Sequence, residues 1–200
     1  MPETHHSQCA SRQHESGLTF VEIVVVLAVI SLLAGIIVPS MMSVTKDAHA
    51  TKIISTFQAL RLACEQHYAH TGSMALEYSG SSYQAATYHK LSMTQTTTGW
   101  KGPYIDHPIS FGDNPFGTTI HLYNSVSALT NYAAGGFDMN GDGTDDITTD
   151  SNVLVVWGVP ESTAKAVDDS LDRGNLGADW KTSGRVEWNN DILAIYIIKP

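Results

Sequence analysis

Residues 16–42 read SGLTFVEIVVVLAVISLLAGIIVPSMM, and this stretch decides how the chain is to be understood. No formal charge falls between residues 23 and 45. At roughly 1.5 Å per residue a helix of that length measures about 34 Å, enough to cross a hydrocarbon core of about 30 Å. A surface helix of a water-soluble domain keeps a polar face; this run is apolar on every side, which predicts a membrane segment. Two residues frame it. Glu22 puts a carboxylate at its mouth, although a charge at the centre of a membrane helix costs about 2.5–3.5 kcal/mol on insertion scales. Pro39 removes one helical hydrogen bond and predicts a kink or a loosened turn over residues 35–39.

The leader in front of this run, residues 1–17, sets Arg12 against Glu3 and Glu15. That is a poor match to the basic start of a secretory signal, and the apolar run continues past Pro39 without a small-residue cleavage site. A plain signal anchor would leave Glu22 without a purpose. Gly17-Leu18-Thr19-Phe20-Val21-Glu22, the uncharged run and Pro39 together resemble the type IV pilin and pseudopilin superfamily. The resemblance implies an α+β, pilin-like fold: a long N-terminal helix, transmembrane in its first half, packed on a small antiparallel sheet. It further implies that a prepilin peptidase removes residues 1–17 after Gly17 and that the new first residue, Leu18, is N-methylated. A transmembrane and assembly helix would then cover residues 18–45 and a globular domain residues 46–200. In the family the glutamate is thought to pair with the terminal amine of a neighbouring subunit as a filament grows. Such a pair neutralises two charges in an apolar core and favours one register over others. A glutamate that merely sits among lipid headgroups also accounts for Glu22.

Acidic residues outnumber basic ones, 20 to 11, for a net charge of −9. Nucleic acid is a poor partner for such a chain, because phosphate binding draws on clustered Lys and Arg. Cys9 lies in the leader and Cys64 beyond the apolar run, so a cleaved chain keeps one thiol and forms no internal disulfide.

Past Lys46 the pattern turns amphipathic: Ile53, Ile54, Phe57, Leu60, Cys64 and Tyr68 recur at three- and four-residue steps, predicting a helical face. Thr71-Gly72 supplies a stop, so the helix is expected over residues 18–70. His67 and His70 share a helical spacing but lack a third ligand nearby, which points to solvated positions. Cys64 reads as a small core residue. Residues 73–98, rich in Ser, Thr, Tyr and Gly, read as a surface connection with one short helix around 82–89. Then Trp100, Gly102, Pro103 and Tyr104, followed by Asn114-Pro115-Phe116-Gly117, are similar to a segment of the major pseudopilin of type II secretion systems. That family usually has Trp where Phe116 stands. Strand signals follow at 118–123, 129–133, 152–157 and 192–198.

Between two of these lies GGFDMNGDGTDDITTD, residues 135–150. Asp138, Asn140 and Asp142 alternate, Gly143 follows, and Asp146 comes four after Asp142. These match the first nine positions of an EF-hand-type loop, with the Thr144 carbonyl as a further oxygen and Asp150 beyond; calcium takes 6–8 such ligands. The twelfth position is Thr149 rather than a bidentate Glu, so a structural calcium site fits better than a sensor. Five acids without a base repel one another unless neutralised; an acidic turn whose Asp, Asn and Gly serve its dihedrals is the plainer reading. A second candidate, LGADWKTSGRVEWNNDI, resembles the C-terminal calcium loop of major pseudopilins, with Leu176, Asp179 and Asp191 as matched positions, but Lys181 and Arg185 intrude.

No catalytic triad order, phosphate loop or paired zinc motif stands out, and the chain reads as a non-enzymatic structural subunit. The resemblance implies a single-pass protein of the bacterial inner membrane with its globular domain in the periplasm. Its partners would be other copies in a helical filament, the prepilin peptidase, and an inner-membrane assembly platform with minor pseudopilins. Two alternatives stay open: a surface type IV pilus subunit serving adhesion, motility or DNA uptake, and a signal-anchored calcium-binding exoprotein.

Overall fold

The computed structural model describes residues 17–129, 135–172 and 179–198. The leader up to residue 16, with Cys9, lies outside the described residues. The fold is α+β, an N-terminal apolar helix and a five-stranded antiparallel sheet. By its internal contacts the chain divides into two units, Met1–Met42 and Ser43–Pro200.

Helix α1 spans Phe20–Thr71 and contributes to both units. In the first unit its Phe20–Ile37 portion is long and apolar enough to cross a membrane, and none of it is buried within the chain. Ser31, a polar residue inside that portion, returns its hydroxyl to the Leu27 carbonyl at 2.7 Å, which removes a free donor from an apolar surface. The backbone is helical through Pro39.

In the second unit α1 presents Ala50, Ile53, Phe57, Leu60, Ala63 and Cys64 as a buried stripe, at the spacing of one helical face. Ile54 and Tyr68 are half-buried along its border. His67, expected in solvent, is instead buried, 1% exposed, because the stripe continues one turn past Cys64. Gly72 closes the helix by donating its N–H to the Tyr68 carbonyl at 2.8 Å.

The strands are β1 (Glu77–Tyr78), β2 (Ile120–Tyr123), β3 (Asn152–Trp157), β4 (Val186–Asn189) and β5 (Ile192–Ile198). They lie in the order β1-β2-β3-β5-β4, all neighbours antiparallel. Side chains alternate between two faces, as a pleated strand requires. Ile120, Leu122, Leu154, Val156, Leu193 and Ile195 share a core with the α1 stripe and with Ala164 and Val167 of α2 (Glu161–Leu171). Tyr123, Val153, Val155 and Ala194 point the other way, against Val126, Leu129 and Phe137. Both faces of the central strands are covered, so β3 and β5 read as near-continuous apolar runs.

The strands expected at 152–157 and 192–198 have those bounds, and the one expected at 118–123 is shorter, beginning at Ile120. The strand expected at 129–133 differs: Leu129 ends a 3-10 turn, Val126–Leu129, and residues 130–134 lie outside the described residues. The polar connection 73–98 holds edge strand β1, and the short helix expected near 82–89 is a single 3-10 turn, Ala86–Tyr88. The sheet therefore begins before residue 100, and residues 100–200 include α2 as well as strands. In Asn114-Pro115-Phe116-Gly117, Gly117 donates its N–H to the Asn114 carbonyl at 3.0 Å. The buried Asn114 amide donates in turn to the Thr119 and Trp157 carbonyls, at 3.0 and 2.9 Å, and so fastens this turn to the ends of β2 and β3.

Candidate functional site

Two regions carry the sequence expectations, and they belong to different units. At the N-terminus Gly17 and Leu18 are exposed and precede the helix. Glu22 is not a bare charge there. Its carboxylate accepts the Thr19 N–H and the Thr19 hydroxyl on the same oxygen, both at 2.7 Å, and its own N–H donates to Thr19 Oγ1 at 3.2 Å. This is a reciprocal capping box, which satisfies helix-end donors and places negative charge at the positive end of the helix dipole. The Thr-x-x-Glu spacing is its sequence signature.

In the globular unit the loop carrying Asp138, Asn140, Asp142, Thr144 and Asp146 rises from a bridge between Phe137 and Ile147. Phe137 N–H meets the Ile147 carbonyl at 3.0 Å, and Ile147 N–H returns to the Phe137 carbonyl at 3.1 Å. Phe137 is wholly buried in the second core cluster, so the base of the loop is fixed by packing. Within the loop the Asp138 carboxylate gathers backbone donors. One oxygen accepts from Asn140, Gly141 and Asp142, at 3.3, 2.8 and 3.2 Å, and the other from Gly143 at 2.7 Å. Burial raises the pKa of Asp138, but these four N–H groups outweigh it and hold the carboxyl below its ordinary range.

Two further turns of the same type follow. Asn140 Oδ1 accepts the Asp142 N–H and Asp142 Oδ1 accepts the Thr144 N–H, each at 2.9 Å. Asp146 accepts the Met139 N–H at 3.0 Å. Thr144 and Asp150 are exposed. The donor set is oxygen throughout, which suits a hard cation such as calcium. Among the described residues, however, no group of three or more His, Cys, Asp or Glu side chains converges as a metal cluster. The repulsion expected among the acids is relieved at Asp138 by the backbone itself.

Of the second candidate loop, Leu176 lies outside the described residues. Asp179 and Asp191 occupy separate turns. The Asp179 carboxylate accepts the Lys181 N–H at 3.1 Å, and its carbonyl accepts the Ser183 hydroxyl at 2.8 Å. Asp191 sits with Asn190 at positive φ, 61° and 47°, in the two-residue turn joining β4 to β5, a position where Asn and Asp are favoured for their dihedrals. The bases have their own contacts: Lys181 pairs with Glu161 at 2.8 Å, and Arg185 lies about 6 Å from the Phe57 and Tyr196 rings. The two acidic segments do meet, since Gly184 donates its N–H to the Asp138 carbonyl at 2.7 Å.

One charged centre has no counterpart in the sequence reading. Glu77, fully buried, faces His89 Nδ1 at 2.8 Å and accepts the Leu91 N–H at 3.0 Å and the Ser92 hydroxyl. His89 Nε2 faces the Tyr83 carbonyl. These contacts make Glu77 and His89 a buried hydrogen-bonded pair that holds residues 83–92 against β1. Nothing periodic marks Glu77 or His89 in the sequence. The histidines considered for metal part company: His67 turns Nδ1 to the Ser73 carbonyl at 3.0 Å, and the exposed His70 meets the Tyr104 hydroxyl at 3.1 Å. Burial pushes the Cys64 thiol far up, as befits a core residue rather than a nucleophile.

No protein-family model, curated protein or solved structure matches this chain.

Proposed function

We propose that this chain is a structural subunit of a pseudopilus, the periplasmic filament of a type II secretion machine. In this reading a prepilin peptidase cuts after Gly17, Leu18 is N-methylated, and α1 anchors the subunit in the bacterial inner membrane with its globular domain in the periplasm. Polymerisation through the apolar half of α1 builds a pilin-like filament, supported by an assembly platform and minor pseudopilins. Calcium bound by Asp138, Asn140, Asp142, Asp146, Asp150 and the Thr144 carbonyl stiffens the acidic loop.

The observation that carries this reading is the apolar half of α1. Phe20, Leu32 and Ile36 are 82%, 69% and 70% exposed, and no part of Phe20–Ile37 is buried within the chain. So long an apolar surface calls for lipid or for other copies. An accessible Gly17 stands directly before it and the Glu22 carboxylate in its first turn, near where cleavage would create a new amine. Mass analysis of the mature N-terminus tests the proposal. A chain beginning with methyl-leucine at Leu18 supports a filament subunit; an intact leader on the membrane-bound protein overturns it. A secretion-channel operon around the gene favours the pseudopilus, and pilus-retraction genes with surface fibres favour a surface pilus.

A further inference from the structure

The acidic loop contains Asn140-Gly141 and Asp142-Gly143, two dipeptides of the kind most prone to close into succinimides. Both glycines are at positive φ, 77° and 85°, and a Cβ added at Gly143 would meet nothing within 4 Å. At Gly143, dihedral angle rather than space favours glycine, so the turn and the labile dipeptide come together. In the ring closure, the backbone nitrogen of the glycine attacks the side-chain Cγ of the residue before it. At Asn140 a C–N bond forms, the amide C–N bond breaks, and ammonia leaves with the proton of the Gly141 nitrogen. Water then opens the ring at either carbonyl, giving aspartate or isoaspartate. At Asp142, in its protonated form, the Cγ–OH bond breaks as the C–N bond forms, the hydroxyl leaves as water with the proton of the Gly143 nitrogen, and water returns to open the ring, giving aspartate or isoaspartate without change of mass.

We propose that this loop is a site of spontaneous backbone isomerisation and that the Asp138 carboxylate holds it in check by occupying both attacking nitrogens. The Gly141 N–H donates to Asp138 Oδ1 at 2.8 Å and the Gly143 N–H to Oδ2 at 2.7 Å. Both groups under attack are restrained in parallel, Asn140 Oδ1 by the Asp142 N–H and Asp142 Oδ1 by the Thr144 N–H. Ring closure at either dipeptide must therefore break the hydrogen bond from the attacking nitrogen to a carboxylate and turn a side chain out of its held position. The Phe137–Ile147 bridge and the Gly184 N–H on the Asp138 carbonyl keep Asp138 in place, so protection comes from the folded loop and does not depend on calcium. Substitution of one buried carboxylate exposes both dipeptides, and each isoaspartate adds a methylene to the backbone of the turn.

The test ages the full-length chain in detergent, with chelator, at mildly alkaline pH for Asn140 and at mildly acidic pH for Asp142. Isoaspartate is read by enzymatic methyl transfer, and Asn140 conversion by the NH-to-O mass change of its peptide. Wild type is compared with Asp138→Ala, Asp138→Asn, urea-unfolded wild type, and a conservative core variant such as Ile195→Val matched to the Asp138 variants in melting temperature. Asp138→Ala should age faster than wild type at both dipeptides by roughly tenfold, the scale set by losing a charge-assisted hydrogen bond at each nitrogen. Asp138→Asn, with a single acceptor oxygen, should release at least one of them. Native wild type ageing as fast as the urea-unfolded chain overturns the proposal whatever the variants do. So does an Asp138→Ala rate equal to that of the core variant, which would assign protection to global folding. A rate below wild type overturns it too, since Asp138 would then be acting as the base.

Discussion

Thr19 and Glu22 cap the start of α1 reciprocally, the carboxylate taking both the N–H and the hydroxyl of Thr19 at 2.7 Å. The carboxylate is therefore compensated within the chain itself. Among the described residues the cap uses one of its oxygens, and Leu18, whose nitrogen would become the new amine, adjoins it. Replacing Glu22 by Ala should leave membrane insertion and processing intact and abolish assembly, read by membrane fractionation, N-terminal mass and electron microscopy of filaments. Normal filaments from that variant would reject the pairing role and leave Glu22 as a cap alone.

Glu77 offers a sharp test of stability. Removing Glu77 leaves buried donors on His89, Leu91 and Ser92 without their acceptor, at a cost of about 1–3 kcal/mol. Glu77→Ala should lose stability on that scale in chemical unfolding, and should first loosen residues 83–92, seen as faster hydrogen exchange there. Glu77→Ala with unchanged stability and exchange would mean the pair contributes nothing.

Two buried histidines set a pH dependence. Burial lowers the pKa of His67 and His121, against the opposing pull of the Ser73 and Ile120 carbonyls; Lys90 and His70 lower His67 further. The unfolded chain then binds more protons than the folded one as pH drops below about 6.5, so their contribution is complete above that value and is lost as pH falls through the folded pKa. Melting temperature should decline as pH falls below about 6.5, and His67→Gln should flatten that slope. Asp168 and Asp172, whose pKa values burial raises, act with the opposite sign. Their contribution is complete below about pH 3.8 and is lost as pH rises through their folded values.

Calcium binding predicts a rise in melting temperature on adding calcium and its reversal by chelator. Asp142→Ala should abolish the rise if the Asp138–Asp146 loop is the site, since Asp142 is exposed and carries little of the fold. Asp179→Ala should abolish it if the second loop is. Identical melts with and without calcium would remove the cation from the account.

Features that depend on a few consecutive residues were legible in the sequence. The apolar run of α1, the stripe from Ile53 to Cys64, the stop at Gly72, and the continuous apolar runs of β3 and β5 all follow from local hydropathy and period. The Thr19–Glu22 box is equally local, and its Thr-x-x-Glu spacing could have been read. Strand β1, two residues long, has no signal of its own; it exists because Glu77 and Tyr78 pair with Leu122 and His121. Helix α2 presents only Thr163, Ala164, Val167 and Asp168 as buried residues, too weak a face to announce itself before β4 is there to pack against.

The sequence by itself determined that this chain carries an apolar helix suited to a membrane ahead of its globular part, and that the globular part is an antiparallel α+β unit with an acidic loop. Hydrophobic burial is periodic, and the period is written in consecutive residues. Tertiary structure alone decided how the charges are kept. His89 and Glu77 stand twelve residues apart in sequence yet 2.8 Å apart in space, and Gly184 reaches the Asp138 carbonyl across 46 positions. A buried charge is stable only where the fold brings donors to it, and those donors come from wherever the chain returns.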